Sequence, residues 1–162
     1  MNEEKAVKSN KYLTFSVDKE VFGLDIKHVD DIIGIQDITL VPEQPDYIKG
    51  VINLRGKIIP TMDVRARFKK ESREYDDRTC IVVLNMQNTS VGVIVDRVVE
   101  VLDIDEDQIA EPPRFSGEYQ SHYISGIGKI NNEIAMLLDC NKLLNYEQIE
   151  ALSHLSEEVE EA

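Results

Sequence analysis

Along much of the chain, large apolar side chains alternate with polar or small ones, the two-residue period of a strand. Tyr12-Leu13-Thr14-Phe15-Ser16-Val17 follows it, Asp18-Lys19-Glu20 turns the chain, and Val21-Phe22-Gly23-Leu24-Asp25-Ile26 answers, predicting a hairpin. Val29, Ile32 and Ile33 fit either a helical turn or the start of a strand, and their spacing does not separate the two. Ile38-Thr39-Leu40-Val41 is a strand candidate stopped by Pro42 and Pro45. Ile48-Lys49-Gly50-Val51-Ile52 and Lys57-Ile58-Ile59 flank a turn at Asn53-Leu54-Arg55-Gly56, where the glycine supplies positive φ. The charged run from Arg65 to Arg78 reads as a solvated connector. Cys80 to Leu84 and Val91 to Val95 predict another hairpin about Met86-Gln87-Asn88-Thr89-Ser90, which Val98 to Leu102 continue. The acidic stretch Asp103 to Gly117, with Pro112-Pro113, reads as a loop. Tyr123 to Ile130 and Ile134 to Leu138 bracket a turn at Asn131-Asn132-Glu133.

The period then changes. Leu143, Leu144, Ile149, Leu152 and Leu155 suit an amphipathic helix from about Tyr146 to Glu158, followed by a fraying acidic tail. Many short strands with Gly and Pro turns predict a mainly all-β barrel or sandwich, with Phe15, Val17, Ile52, Ile59, Val83, Val93, Val95 and Leu137 inside. A weak internal echo links Ile48 to Ile59 with Ile124 to Met136. Each is an apolar strand holding a glycine, then a turn, then an apolar strand. The echo fits two similar lobes, and equally the self-similarity of any protein built from Ile/Val hairpins.

Charge narrows the function. The 162 residues include 31 acidic and 18 basic side chains, a formal net charge of −13. That balance opposes a nucleic-acid interface, which needs a basic face, and adhesion to an anionic membrane surface. Met1-Asn2-Glu3-Glu4-Lys5 lacks the basic and apolar regions of a signal peptide, and no apolar run is long enough to span a bilayer. The expectation is an intracellular protein with reduced thiols. Cys80 and Cys140 are widely spaced without a CxxC, and Cys80 opens an apolar strand as a core residue would.

The search for chemistry yields little. His28, His122 and His154 lack ligand-spaced partners, so no metal is expected. There is no GxSxG elbow, and Gly126-Ile127-Gly128 lacks the remainder of a dinucleotide fingerprint. Asp30-Asp31 and Asp76-Asp77 are what a solvated acidic face contains, although a small hydrolase using Asp30, Asp31 or Cys80 is the competing class. The arginine at the Asn53-Leu54-Arg55-Gly56 turn stands out. It presents a planar donor fork on a rigid base, either as a recognition anchor or as a tie to a carboxylate such as Asp63.

These residues carry a family resemblance from roughly Lys11 to Leu144. Tyr12-Leu13-Thr14-Phe15, Phe22-Gly23-Leu24-Asp25-Ile26, Val41-Pro42, Ile48 to Gly56, Ile58-Ile59-Pro60, Asp63-Val64-Arg65, Gly92 to Asp96 and Leu137-Leu138-Asp139 resemble, in order, the CheW-like family of bacterial chemotaxis coupling proteins. The Gly-Val-Ile-Asn-Leu-Arg-Gly run is the most specific of them. The resemblance implies two small five-stranded SH3-like β-barrel lobes around a shared apolar core, within a domain over 11–145 followed by a helix and acidic tail over 146–162. It implies no catalysis and no cofactor. It implies an adaptor between the cytoplasmic tips of chemoreceptors and the CheW-like regulatory domain of the histidine kinase CheA, with homologous ring contacts as a further possibility. The family's receptor groove and coupling positions fall on Val29, Asp31, Gly50, Arg55, Gly92 and Val101, with Asn53 and Gly56 flanking the arginine. The family often has glutamate where Asp31 stands. The implied site is a cytoplasmic array at membrane-bound receptors, reached through partners without membrane insertion.

Overall fold

The computed structural model describes residues 10–112 and 122–161. Its strands are β1 (Lys11–Val17), β2 (Glu20–Asp25), β3 (Val29–Gly34), β4 (Ile48–Leu54), β5 (Lys57–Asp63), β6 (Cys80–Met86), β7 (Thr89–Val95), β8 (Arg97–Asp103), β9 (Ile109–Ala110), β10 (Ile124–Ile130) and β11 (Glu133–Leu138). The helices are α1 (Val64–Arg67), α2 (Cys140–Leu143) and α3 (Tyr146–Glu161). Short 3-10 turns at Ile26–His28 and Glu106–Gln108 precede β3 and β9.

Two sheets form. The first has the order β8-β1-β2-β11-β10-β9 and the second β3-β6-β7-β5-β4. Each is made of two hairpins joined by a short parallel pairing, β11 on β2 and β5 on β7. An edge strand then completes each sheet from the other half of the chain. β3 follows β2 but pairs with β6, and β8 follows β7 but pairs with β1. The lobes are therefore interlocked by exchanged strands. The first sheet carries one strand more than the expected five because two residues of the 103–117 stretch, Ile109 and Ala110, pair with β10. Residues 113–117 of that stretch lie outside the described residues.

The strands that alternate in sequence are buried on both faces, and the two sets of side chains serve different cores. Leu13, Phe15 and Val17 of β1, Phe22 and Leu24 of β2, Val82, Leu84 and Met86 of β6, and Val91, Val93 and Val95 of β7 meet in a shared core between the lobes. Their alternate neighbours fill the lobes themselves. Ile52, Ile59, Ile81, Val83 and Ile94 lie inside the second, and Ile104, Ala135 and Leu137 inside the first. The residues expected inside are all buried. Phe15, Phe22, Phe68 and Tyr123 form a run of ring contacts through the shared core, with centroids 5.2–5.6 Å apart.

Several sequence expectations change. Val98 to Leu102 do not continue the β6–β7 hairpin, because β8 crosses to the first sheet. Thr39 makes an isolated bridge to Val51 where a strand at 38–41 was expected, since the prolines stop it from extending. The charged run from Arg65 opens as helix α1, capped by the Asp63 carboxylate on the Arg65 amide, and Arg65 itself is buried. The C-terminal helix runs to Glu161, past the expected end. Its start is a reciprocal cap between Asn145 and Gln148, and Ile149, Leu152 and Leu155 enter the shared core.

The internal echo is real. The pairs Ile48↔Met62 and Gly50↔Thr61 in β4–β5 match Ile124↔Leu138 and Gly126↔Leu137 in β10–β11, with the same register shift. Both hairpins end on an aspartate, Asp63 or Asp139, whose side chain caps a short helix.

Candidate functional site

The Leu54–Lys57 turn reverses the chain through two left-handed residues, Arg55 at φ 53° and Gly56 at φ 87°. Glycine adopts this freely, whereas arginine does so at a cost. Asn53 offsets part of it, its side-chain oxygen accepting from the Gly56 amide at 2.8 Å. The turn projects the Arg55 guanidinium, whose side chain is 75% exposed. Its Nη1 donates to Asp31 Oδ2 at 3.1 Å.

Asp31 belongs to β3 and Arg55 to the turn that follows β4, and β3 and β4 are the two edges of the second sheet. The ion pair thus spans the seam where that sheet curls toward closure. Gln36 Nε2 donates to the Asn53 carbonyl across the same seam at 3.1 Å. Ile33, Ile35 and Ile38 on one side and Ile52 and Leu54 on the other pack together beneath it. The partner of Arg55 is Asp31 and not Asp63. Asp63 is buried, occupied by the Arg65 amide and by the Tyr75 hydroxyl, which donates to it at 2.7 Å. Burial and that carboxylate push the Tyr75 hydroxyl pKa up.

The structure brings Asp31, Asn53, Arg55 and Gly56 into one cluster. Val29 is half-buried at the start of the same β3 and packs against the shared core. Val101 is exposed on β8 of the other sheet. Gly50 and Gly92 are buried inside strands. A Cβ on Gly50 would lie 2.0 Å from the Thr39 carbonyl oxygen, and one on Gly92 2.8 Å from Ile81. Both glycines permit close approach of neighbouring chain rather than presenting a surface. Sequence reasoning passed over Ile32, 42% exposed beside Asp31. The uncertain period of β3 hid which face it occupies.

A second constellation also escaped it. Arg65 forks onto Asp96, with Nε on Oδ1 at 2.9 Å and Nη2 on Oδ2 at 2.8 Å, and Nη2 also meets Asp18. Its Nη1 donates to the Glu71 carbonyl at 2.8 Å. Asp96 further accepts from the Asp18 amide at 2.8 Å and from Arg73 at 3.1 Å. Burial alone pushes the Asp96 carboxyl up, but the Arg65 hydrogen bonds, the Asp18 amide and the charges of Arg65 and Arg73 outweigh it and hold the pKa below the usual range. The cluster ties the β1–β2 turn to the crossover from β7 to β8, and so joins the lobes.

Cys140 is buried, whereas Cys80 is partly exposed, contrary to its core reading, because β6 only begins there. Among the described residues no group of three His, Cys, Asp or Glu side chains converges to hold a metal. No described helix is long and apolar enough to cross a membrane.

Comparison with known proteins places this architecture. The family model for the CheW-like domain matches residues 11–148. The chain is 35% identical to the chemotaxis protein CheW of Klebsiella aerogenes, over 90% of this chain and 88% of that protein. It is 29% identical to CheW of Treponema pallidum, over 88% and 86%. The crystal structure of the scaffolding protein TtCheW from Thermoanaerobacter tengcongensis superposes with a TM-score of 0.78 and 33% identity, covering 87% of this chain and 96% of that one. The chain belongs to the CheW-like family, and it is a non-enzymatic adaptor of chemotaxis signalling rather than a hydrolase.

Proposed function

We propose that this chain couples chemoreceptor cytoplasmic tips to the histidine kinase CheA, on the cytoplasmic side of membrane-bound receptor arrays. The observation that carries this reading is the exposed Arg55 guanidinium, held on a left-handed turn and steadied by Asp31. A rigid, solvent-facing fork next to exposed Ile32 suits a helical receptor hairpin, with apolar anchors and a polar pin. Val29, Asp31, Asn53, Arg55, Gly56 and Val101 are the residues proposed to meet or frame the partners. Gly50 and Gly92 act by keeping the strands beneath them close. The CheW-like regulatory domain of the kinase meets a lobe face, and lobe-to-lobe contacts of this kind extend into rings. An adaptor of this type works by raising each partner's effective concentration for the other.

The test is reconstitution of receptor fragment, kinase and adaptor, read as receptor-dependent kinase phosphorylation and as binding to each partner. Arg55→Glu is expected to weaken engagement about tenfold or more, since truncating an interfacial arginine typically costs about 2 kcal/mol and reversal adds repulsion. Wild-type affinity for both partners would reject the anchor.

A further inference from the structure

The two lobes share the same strand register at their seams, and the seams differ in the charges they carry. In the second lobe, β3 pairs Val29 with Leu84 and Asp31 with Val83, leaving Asp30 as a bulge. In the first, β8 pairs Val98 with Phe15 and Glu100 with Thr14, leaving Val99 as the bulge. Asp31 therefore corresponds to Glu100. The turns match as well. Leu54↔Lys57 closes one hairpin through Arg55 and Gly56, and Ile130↔Glu133 closes the other through Asn131 and Asn132, all four at positive φ. Arg55 therefore corresponds to Asn131, and Lys57 to Glu133.

In the second lobe the arginine of the turn reaches the acid of the edge strand and bridges the seam. In the first lobe the acid is retained and the arginine is not. A second carboxylate, Glu133, stands where the second lobe has a lysine. Neither the Glu100 nor the Glu133 side chain has an ion pair among the described residues. Between them runs an apolar groove, walled by Val99 and Leu102 of β8 and by Ile130 and Ile134 of the β10–β11 hairpin. Val99 is 38% and Ile134 59% exposed. The groove encloses about 30 Å³, far less than the roughly 300–1,000 Å³ of a small-ligand pocket. It has the size for part of a side chain.

We infer that this seam is a docking groove for an arginine of a partner protein, carried beside an apolar residue. The arginine takes the place that Arg55 fills in the other lobe. Its stem lies along Val99 and Ile134 while its fork faces Glu100 and Glu133, a division that arginine suits better than lysine. The groove's apolar walls supply selectivity that the general negative charge of the chain does not. The inference extends the coupling function to a surface on the first lobe and does not depend on the role of Arg55 itself.

The experiment uses the full chain, isotope-labelled, titrated with a cyclised hairpin peptide having the sequence of Ile52–Ile59, which presents an arginine next to a leucine. Amide shifts are expected to centre on residues 99–102 and 130–134, and an Arg-to-Glu version of the peptide should give none. Glu100→Gln with Glu133→Gln should raise the peptide Kd at least fivefold with an unchanged melting curve, since both side chains are exposed. Asn131→Arg should supply the missing cation from within and abolish peptide binding while changing the melting temperature little, since an exposed ion pair gains about what an arginine at a left-handed position loses. Shifts centred elsewhere, no shifts, or unchanged affinity in the double glutamine variant would overturn the proposal.

Discussion

Arg55 and Asp31 lie 24 positions apart and meet at 3.1 Å across the two edges of one sheet. The pair is asymmetric, with the arginine side chain 75% exposed and the aspartate 30%. An exposed ion pair of this kind adds little to stability, because water and salt screen it. What it sets is direction. The guanidinium has a preferred orientation on the surface while its remaining donors stay open to a partner.

A double-mutant cycle between Arg55→Ala and Asp31→Ala is therefore expected to give a small stability coupling, about 0.2–1 kcal/mol. The same cycle read as partner binding should give a larger coupling. Chemical denaturation and binding measurements on the four proteins check this. A stability coupling above about 2 kcal/mol would make the pair a structural clasp instead.

The glycines should rank sharply. Gly50 has φ +145°, and a Cβ there would press to 2.0 Å from the Thr39 carbonyl oxygen. Gly50→Ala is expected to cost roughly 3 kcal/mol or more by strain and overpacking. Gly56→Ala meets open space but needs a left-handed backbone, for about 1 kcal/mol. Gly34→Ala meets nothing within 4 Å and carries no positive φ, so it should stay within about 0.5 kcal/mol. Urea midpoints of the three variants test the order. A neutral Gly50→Ala would contradict the close approach of Thr39.

The hairpins were legible because each places turn residues between alternating strands, and alternation reports which face a side chain occupies. It does not report which strand lies alongside. Nothing in Val98 to Leu102 distinguishes continuation beside β7 from transfer to β1, and that choice follows from filling the shared core. Arg65 was misread for a similar reason. A charge is buried only when compensated, and its partners Asp96 and Asp18 lie 31 and 47 positions away. Arg55 could be picked out because its constraint is local, in the turn itself. Its partner was not evident, since Asp31 and Asp63 are equally carboxylates until the sheet curls.

The two thiols should separate chemically. Burial, with Asp139 and Asp25 nearby and Lys27 opposing, pushes the Cys140 thiol up to about 12, so almost no thiolate exists near neutrality. Cys80 is partly exposed, its sulfur 3.4 Å from the Arg78 carbonyl. Iodoacetamide at pH 8 followed by peptide mass mapping is expected to find Cys80 modified first, and Cys140 only in denaturant. Prompt labelling of Cys140 in the folded protein would refute this.

Asp96 should govern part of the acid stability. Its carboxyl titrates below the usual range in the folded chain because the Arg65 and Asp18 contacts and the nearby Arg73 outweigh burial. The unfolded chain returns it to about 3.9. A depressed folded pKa means that the contribution is complete above the unfolded value and is lost as pH falls through the folded one. Wild-type urea midpoints should therefore hold from neutrality down to about pH 4 and decline below it. Asp96→Asn removes one partner of the nearly buried Arg65 guanidinium, so it should cost about 3 kcal/mol at pH 7. It should also flatten the acid limb, since the titrating group is gone. Arg65→Leu should lower stability at pH 7 as well and, by letting the folded Asp96 carboxyl rise toward its unfolded value, should also shrink the acid decline. Midpoints between pH 3 and 7 for the three proteins check both outcomes. Parallel curves would mean that the cluster contributes packing alone, and that the joint between the lobes is held by the shared apolar core without help from charge.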